Sequence, residues 1–183
     1  MFVFRKFAAS LAIGAMLLSA GPLAAAEPEN TMVITLKGGD VTIALRPDLA
    51  PKHVAQIKKL VRDGAYDNVA FHRVIGGFMA QTGDVEFGDL EDGFDAQRVG
   101  TGGSALPDLP AEFSGEHFVR GTVGMARAQS PNSANSQFFI MFDAEPSLDN
   151  LYTIVGTVES GMDKVDAIKK GDPAANGLVQ NPD

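Results

Sequence analysis

The residue sets that usually do covalent or metal-assisted chemistry are not spaced for it in this 183-residue chain. Its three histidines, His53, His72 and His117, form no HxH or HxxxH pair, and with no cysteine a zinc site would need carboxylates gathered from far apart. No GxSxG elbow occurs and no serine stands out as a nucleophile. None of the 23 Asp and Glu residues sits in an apolar run that would raise its pKa for acid work. Neither metal nor cofactor is expected.

Two other segments combine charge, amides and large apolar side chains. The first is Phe71-His72-Arg73-Val74-Ile75-Gly76-Gly77-Phe78-Met79-Ala80-Gln81-Thr82-Gly83-Asp84; the second runs from Gly124-Met125-Ala126-Arg127-Ala128 to Asn135-Ser136-Gln137-Phe138-Phe139-Ile140. In an extended strand, His72 and Val74 point to one face while Phe71, Arg73 and Ile75 point to the other. An arginine among large apolar side chains is costly to desolvate unless something uses it. Taken alone, Arg73 is better explained by an ion pair or by a place on the surface. Its neighbours argue otherwise, since Gln81 follows Phe78 and Met79, and Gln137 precedes Phe139. Core packing accounts for Phe71, Phe138 and Ile140, but poorly for glutamines within such runs.

The elements that must position these residues are short. Thr31 to Leu36 and Val41 to Leu45 alternate as strands around Lys37-Gly38-Gly39-Asp40, a hairpin signal. Pro51 opens a helical pattern through Val54, Ile57, Leu60 and Val61, which Gly64 should stop. Strand-like runs follow at 69–75, 78–81, 122–126, 137–142 and 153–158, then a helix over 162–169. The long Gly-, Asp- and Pro-rich stretch between Gly83 and Gly121 reads as a functional surface loop. Its Gly100-Thr101-Gly102-Gly103 lacks the Lys-Ser/Thr and the helix of a phosphate-binding loop. Many short strands with two helices suggest a closed or nearly closed antiparallel barrel with a helix at each open end.

Residues 1–26 have the layout of a secretory signal: basic Arg5 and Lys6, an uncharged run from Phe7 to Ala20, a break at Gly21-Pro22, and Ala24-Ala25-Ala26 before Glu27. The competing reading, an uncleaved membrane anchor, is weakened by the short apolar run and its interruptions. Cleavage after Ala26 predicts a periplasmic or secreted domain over 27–183, with no stable membrane association. The formal charge of −8 becomes more negative on cleavage, because the leader carries two basic residues and no acidic one. That balance argues against nucleic-acid binding.

The two dense segments resemble the signature blocks of the cyclophilins, FHRxIxxFMxQxGD and GxxxMA…NxSQFFI, over about Thr31 to Ile168 with family-like spacing. The resemblance implies a peptidyl-prolyl cis/trans isomerase that assists folding of exported proteins. Its fold would be mainly β, a closed antiparallel barrel of about eight strands capped by two helices. It implies Arg73, Phe78 and Gln81 as catalytic residues and Met79, Ala126, Arg127, Gln137, Phe139, Leu148 and Tyr152 as substrate contacts. The implied partners are proline-containing polypeptides, no cofactor is used, and a monomer is expected. Two other classes compete: a noncatalytic module that holds proline-containing segments, and a sugar- or lipid-binding barrel, which would need no FHR…FMxQ arrangement.

The chain departs from the family pattern at four places. Ser147 stands where many eukaryotic members have Trp, and Tyr152 where they have His, which predicts weak inhibition by cyclosporin. Arg127 replaces a frequent Asn, predicting a preference for acidic or extended substrates. From Gly177 onward the family's usual last strand is not visible, so either the sequence is truncated or the barrel closes differently, and a missing strand would expose a sheet edge.

Overall fold

The computed structural model describes residues 28–182. The segment read as a secretory signal lies outside the described residues.

Apart from one-turn 3-10 segments, strands β1 (Thr31–Leu36) and β2 (Gly39–Leu45) come first, then helix α1 (Pro51–Arg62), β3 (Arg73–Ile75) and β4 (Met79–Thr82). After a long connection come β5 (Thr122–Met125), β6 (Phe138–Met141), β7 (Ile154–Ser160) and α2 (Met162–Asp166). The seven strands form one curled antiparallel sheet in the order β1-β2-β7-β5-β6-β4-β3. Register shifts at Thr42/Ile43 and Val123/Gly124, on both sides of β7, give the local bending that curls it. The mainly β, barrel-like architecture with two helices is the one expected from the sequence.

Alternation sorts the sheet into two faces with different tasks. The cross-strand row Val74, Ala80, Ile140 and Val123 faces inward and joins Val54 and Ile57 of α1 and Val165 of α2 in one buried core. The opposite face carries a second cluster of Met79, Phe118, Phe139, Met141 and Ile154. Helix α1 ends as the glycine signal requires: Gly64 takes φ +72° and donates to the Val61 carbonyl at 3.1 Å. His53, Val54, Ile57 and Leu60 form its buried face, whereas Val61, expected among the apolar positions, is 41% exposed.

Three expectations need correction. The strand expected over 69–75 is reduced to Arg73–Ile75, because Tyr66–Asn68 form a turn and Val69 bridges Asp89. The last helix stops at Asp166 rather than Lys169, because Ala167 caps it and the following lysine amines turn to main-chain carbonyls. The end of the chain is not idle either. Leu178 bridges Arg73, the Val179 N–H donates to the His72 carbonyl at 2.9 Å, and Val179 is buried in the core. Among the described residues β1 still pairs only with β2, and beside it lies a groove of about 530 Å³ lined by Val33, Val61, Tyr66 and Phe71.

The N-terminus of α1 has no side-chain cap of its own, since Ala50 occupies that position. Glu112, from the long connection, supplies it from a distance. Its carboxylate accepts the Lys52 and His53 N–H groups at 3.1 Å and meets His53 Nδ1 at 2.7 Å. Burial alone would raise its pKa, but those hydrogen bonds outweigh burial and hold the carboxyl below its ordinary value. A depressed acid stabilises the fold above its unfolded pKa and loses that contribution as pH falls through the folded value. Glu112→Ala is therefore expected to cost about 1–3 kcal/mol at neutral pH. The difference from the parent should shrink as denaturation is followed down to about pH 3. A difference that does not change between the two pH values would remove the charge from this account.

Candidate active site

The register explains why two distant segments make one site. Arg73 on β3 pairs with Gln81 on β4, Gln81 with Phe139 on β6, and Phe139 with Gly124 on β5. These four residues form a row on the outer face, and Ile75, Met79 and Met141 form the row beside it. Gly124 gives the row its depth. A Cβ there would lie 2.6 Å from the Phe118 ring and 2.7 Å from that of Phe139, so any side chain would push apart two rings stacked at 5.8 Å. Tyr152 meets both rings edge-on.

A pocket of about 120 Å³ opens above this floor, lined by Phe78, Met79, Ala126, Phe139, Leu148 and Tyr152, with Arg73, Gln81 and Arg127 as its polar members. Leu148 is brought in by a one-turn segment, Pro146–Leu148, that Asp149 ties down by accepting the Phe118 N–H at 2.8 Å. Gln137 lies outside this pocket. It walls an adjoining groove of about 380 Å³ that also includes Gln81, Ala126, Arg127 and Gly102. Ser147, the position of the family's tryptophan, lines neither.

The polar side of the site is a directional chain. A guanidinium can only donate, so the Gln81 amide must present its oxygen, and Arg73 Nη1 reaches Oε1 at 3.2 Å. That leaves Gln81 Nε2 to donate to Gln137 Oε1 at 2.9 Å, and Gln137 Nε2 to donate to the Gly102 carbonyl at 2.8 Å. The other side of Arg73 is held by Asn176, whose carbonyl oxygen accepts from Nε and whose Oδ1 accepts from Nη2, both at 3.0 Å. Among the described residues no carboxylate pairs with Arg73. Burial pushes its pKa below the ordinary value, against a smaller opposite influence of Tyr152. The group nonetheless remains a cation at any physiological pH.

Arg127 is held differently. Its guanidinium donates to the carbonyls of Leu151, Ala128 and Gln129 and lies 4.5 Å from the centre of the Tyr152 ring. It braces the wall between pocket and groove rather than standing free.

The motif residues around Gln137 each have a separate task. Asn135 accepts from the N–H and hydroxyl of Ser104 and donates to the Leu106 carbonyl and Asp108, fixing the long connection. Ser136, fully buried, donates to the Gly83 carbonyl at 2.7 Å. Phe138 points inward against Tyr66, and Phe139 outward into the pocket. Reading the sequence missed Asn176 and Asp84. Asp84, fully buried, accepts the N–H groups of Glu86, Phe87, Gly100 and Gly102 and so shapes the groove wall. Asn176 had one local signal, the Asn-Gly step of a left-handed turn, which says nothing of an arginine 103 residues away.

Comparison with known proteins agrees with this geometry. The family model described as cyclophilin type peptidyl-prolyl cis-trans isomerase matches residues 31–182. Proteins of Brucella suis and Brucella melitensis, each named a probable peptidyl-prolyl cis-trans isomerase, are 66% identical over 182 residues, covering all of this chain and 93% of each relative. Among solved structures, a cyclophilin of Hirschia baltica superposes with a TM-score of 0.70 at 28% identity, over 85% of this chain and 71% of its own. A Cryptosporidium parvum cyclophilin, crystallised in the presence of the dipeptide Ala-Pro, gives 0.69 at 26% identity over 83% of this chain and 92% of its own. The chain belongs to the cyclophilin-type peptidyl-prolyl cis-trans isomerases.

Proposed function

We propose that this isomerase acts on X-Pro bonds of exported polypeptides, assists their folding, and uses Arg73 as its electrostatic catalyst. The observation that carries this reading is a guanidinium with no carboxylate partner, held by neutral oxygens at the rim of an apolar cup. Resonance gives the amide C–N bond double-bond character and a rotational barrier of about 18–20 kcal/mol. Twisting breaks that resonance and leaves the proline nitrogen pyramidal, with a lone pair that neither planar ground state offers. A cation beside that nitrogen binds the twisted state better than either ground state, and so accelerates rotation. Phe78, Met79, Phe139 and Leu148 hold the ring while the other half of the bond turns. Gln81 lies within reach of the substrate carbonyl, and the adjoining groove suits the flanking chain. The Ala-Pro dipeptide present with the Cryptosporidium protein supports proline-containing peptides as the substrate class. No nucleophile is consumed and no bond is made or broken.

One charge-assisted hydrogen bond contributes roughly 1.5–3 kcal/mol, or about ten- to a hundred-fold in rate. Desolvation and clamping of the ring must supply the rest. Arg73→Ala is accordingly expected to lower kcat/KM by at least about ten-fold in a protease-coupled proline isomerisation assay. Turnover equal to the parent would sink the mechanism.

The exposed Ser147 beside the pocket leaves out the large groove contact of the eukaryotic members. Cyclosporin should therefore inhibit weakly, and nanomolar inhibition of the parent would refute this. Export is carried by the leader alone, with its basic, apolar and small-residue regions. N-terminal sequencing of the protein recovered from the periplasm should begin at Glu27; recovery only from the cytoplasm with Met1 retained would refute export.

A further inference from the structure

We infer that Asn176 is a positioning residue for isomerisation, and that the C-terminal segment exists in part to bring it to Arg73. This rests on the reading of Arg73 as the catalytic cation. Asn176 grips the guanidinium twice, through its own carbonyl oxygen and its side-chain Oδ1, each at 3.0 Å. A single residue can offer both acceptors to one side of a guanidinium only where the backbone turns sharply. Asn176 lies in the left-handed region, at φ +53° and ψ +34°, a conformation asparagine tolerates better than most residues.

The loop that carries it is pinned on both flanks of Arg73 and not elsewhere on β3. Val74 donates to the Gly177 carbonyl at 2.8 Å and accepts from the Gly171 N–H at 2.9 Å. On the other flank, Val179 donates to the His72 carbonyl. Inside the loop, Asp172 accepts the Ala174 N–H with its side chain and the Ala175 and Gly177 N–H groups with its carbonyl. The acceptors of Asn176 thus move with the strand that bears Arg73. Asn176 itself is exposed and packs in neither apolar cluster, so its side chain adds little to the core.

The physical role follows from the donor count. Of the five guanidinium N–H groups, Asn176 takes two, Gln81 a third, and one points at the Met79 sulfur at 4.0 Å. Nη1 and Nη2 are thereby fixed in one plane at the pocket rim without a neutralising charge. An arginine side chain free to sample its rotamers would spend most of its time out of line with the proline nitrogen, and small misplacements of a catalytic group are costly.

Asn176→Gly in the full chain is the discriminating variant, because glycine keeps the left-handed backbone and the carbonyl acceptor while removing the side chain and with it the Oδ1 contact. The expected result is a loss of kcat/KM of roughly three- to ten-fold with an unchanged Kd for a proline peptide and an unchanged Tm. The Arg73 Nε–H resonance should also shift and exchange faster with solvent. In an Arg73→Lys background the same change should add no further loss, since the lysine ammonium cannot take the two-point grip. Parent-like turnover of Asn176→Gly, with Arg73→Ala still impaired, would overturn the positioning role and leave the catalytic one standing. A full additive loss in the Arg73→Lys background would also overturn it, by showing that Asn176 acts through the fold. Parent-like turnover of Arg73→Ala would overturn both.

Discussion

The Arg73 guanidinium is held at the edge of an apolar pocket without being neutralised, and the rest of the site is arranged around that contact. The chain has 23 acidic residues, yet Arg73 is held by the oxygens of Gln81 and Asn176. A carboxylate would hold a guanidinium more strongly. It would also cancel the field on which the proposed mechanism depends. Amide oxygens give geometry at little cost in charge. The same choice propagates outward, because each amide that accepts on one side must donate on the other, from Gln81 to Gln137 and from Gln137 to the Gly102 carbonyl. A glutamine replaced by glutamate anywhere along that chain would break its direction as well as its charge.

The pocket is built on the outer face of the sheet, over the buried cluster of Met79, Phe118, Phe139, Met141 and Ile154, while the main core lies on the inner face. The division is clean across four neighbouring strands: Val74, Ala80, Ile140 and Val123 on one side, Arg73, Gln81, Phe139 and Gly124 on the other. A slip of one residue in any pairing would exchange pocket-facing and core side chains. Capping of α1 by Glu112 adds to this order, since the Glu112 N–H donates to Thr153 Oγ1, next to Tyr152. The helix that fills the core is thereby tied to the aromatic wall of the pocket.

These relations differ in how far the sequence discloses them. The hairpin, helix α1 and the two dense segments were readable because their signals are local: alternation, helical spacing, a glycine just past a helix. The site was readable as far as its residues fall within those segments, and Leu148 and Tyr152 required the family resemblance. What stayed hidden depends on pairing at long range. Nothing near Asn176 points to Arg73, and nothing near Glu112 points to the uncapped start of α1. The short strand at Arg73–Ile75 had the same origin, because Val69 spends its extended conformation on a bridge to Asp89 rather than on the sheet. No last strand is visible in the C-terminal residues because one bridge to Arg73 and one buried valine leave no periodic pattern.

The long connection between β4 and β5 shows how a wall can be rigid without strands. Its order comes from a few fully or partly buried acceptors, with Asp84 gathering four N–H groups and Asn135 holding Ser104, Leu106 and Asp108. Each such acceptor would be expensive to leave unsatisfied, so each fixes several residues of loop at once. Strand register fixes most of the pocket floor, and Phe118 of the same connection completes it by stacking on Phe139. Floor and wall are joined at two places, the Phe118 ring and the run from Arg73 through Gln81 and Gln137 to the Gly102 carbonyl, so a change in the loop at Gly102 is felt at Arg73 as well as in the groove. Under the proposed function the two parts keep different tasks, the sheet meeting the proline ring and the loop the flanking chain, and that amide run keeps them in register.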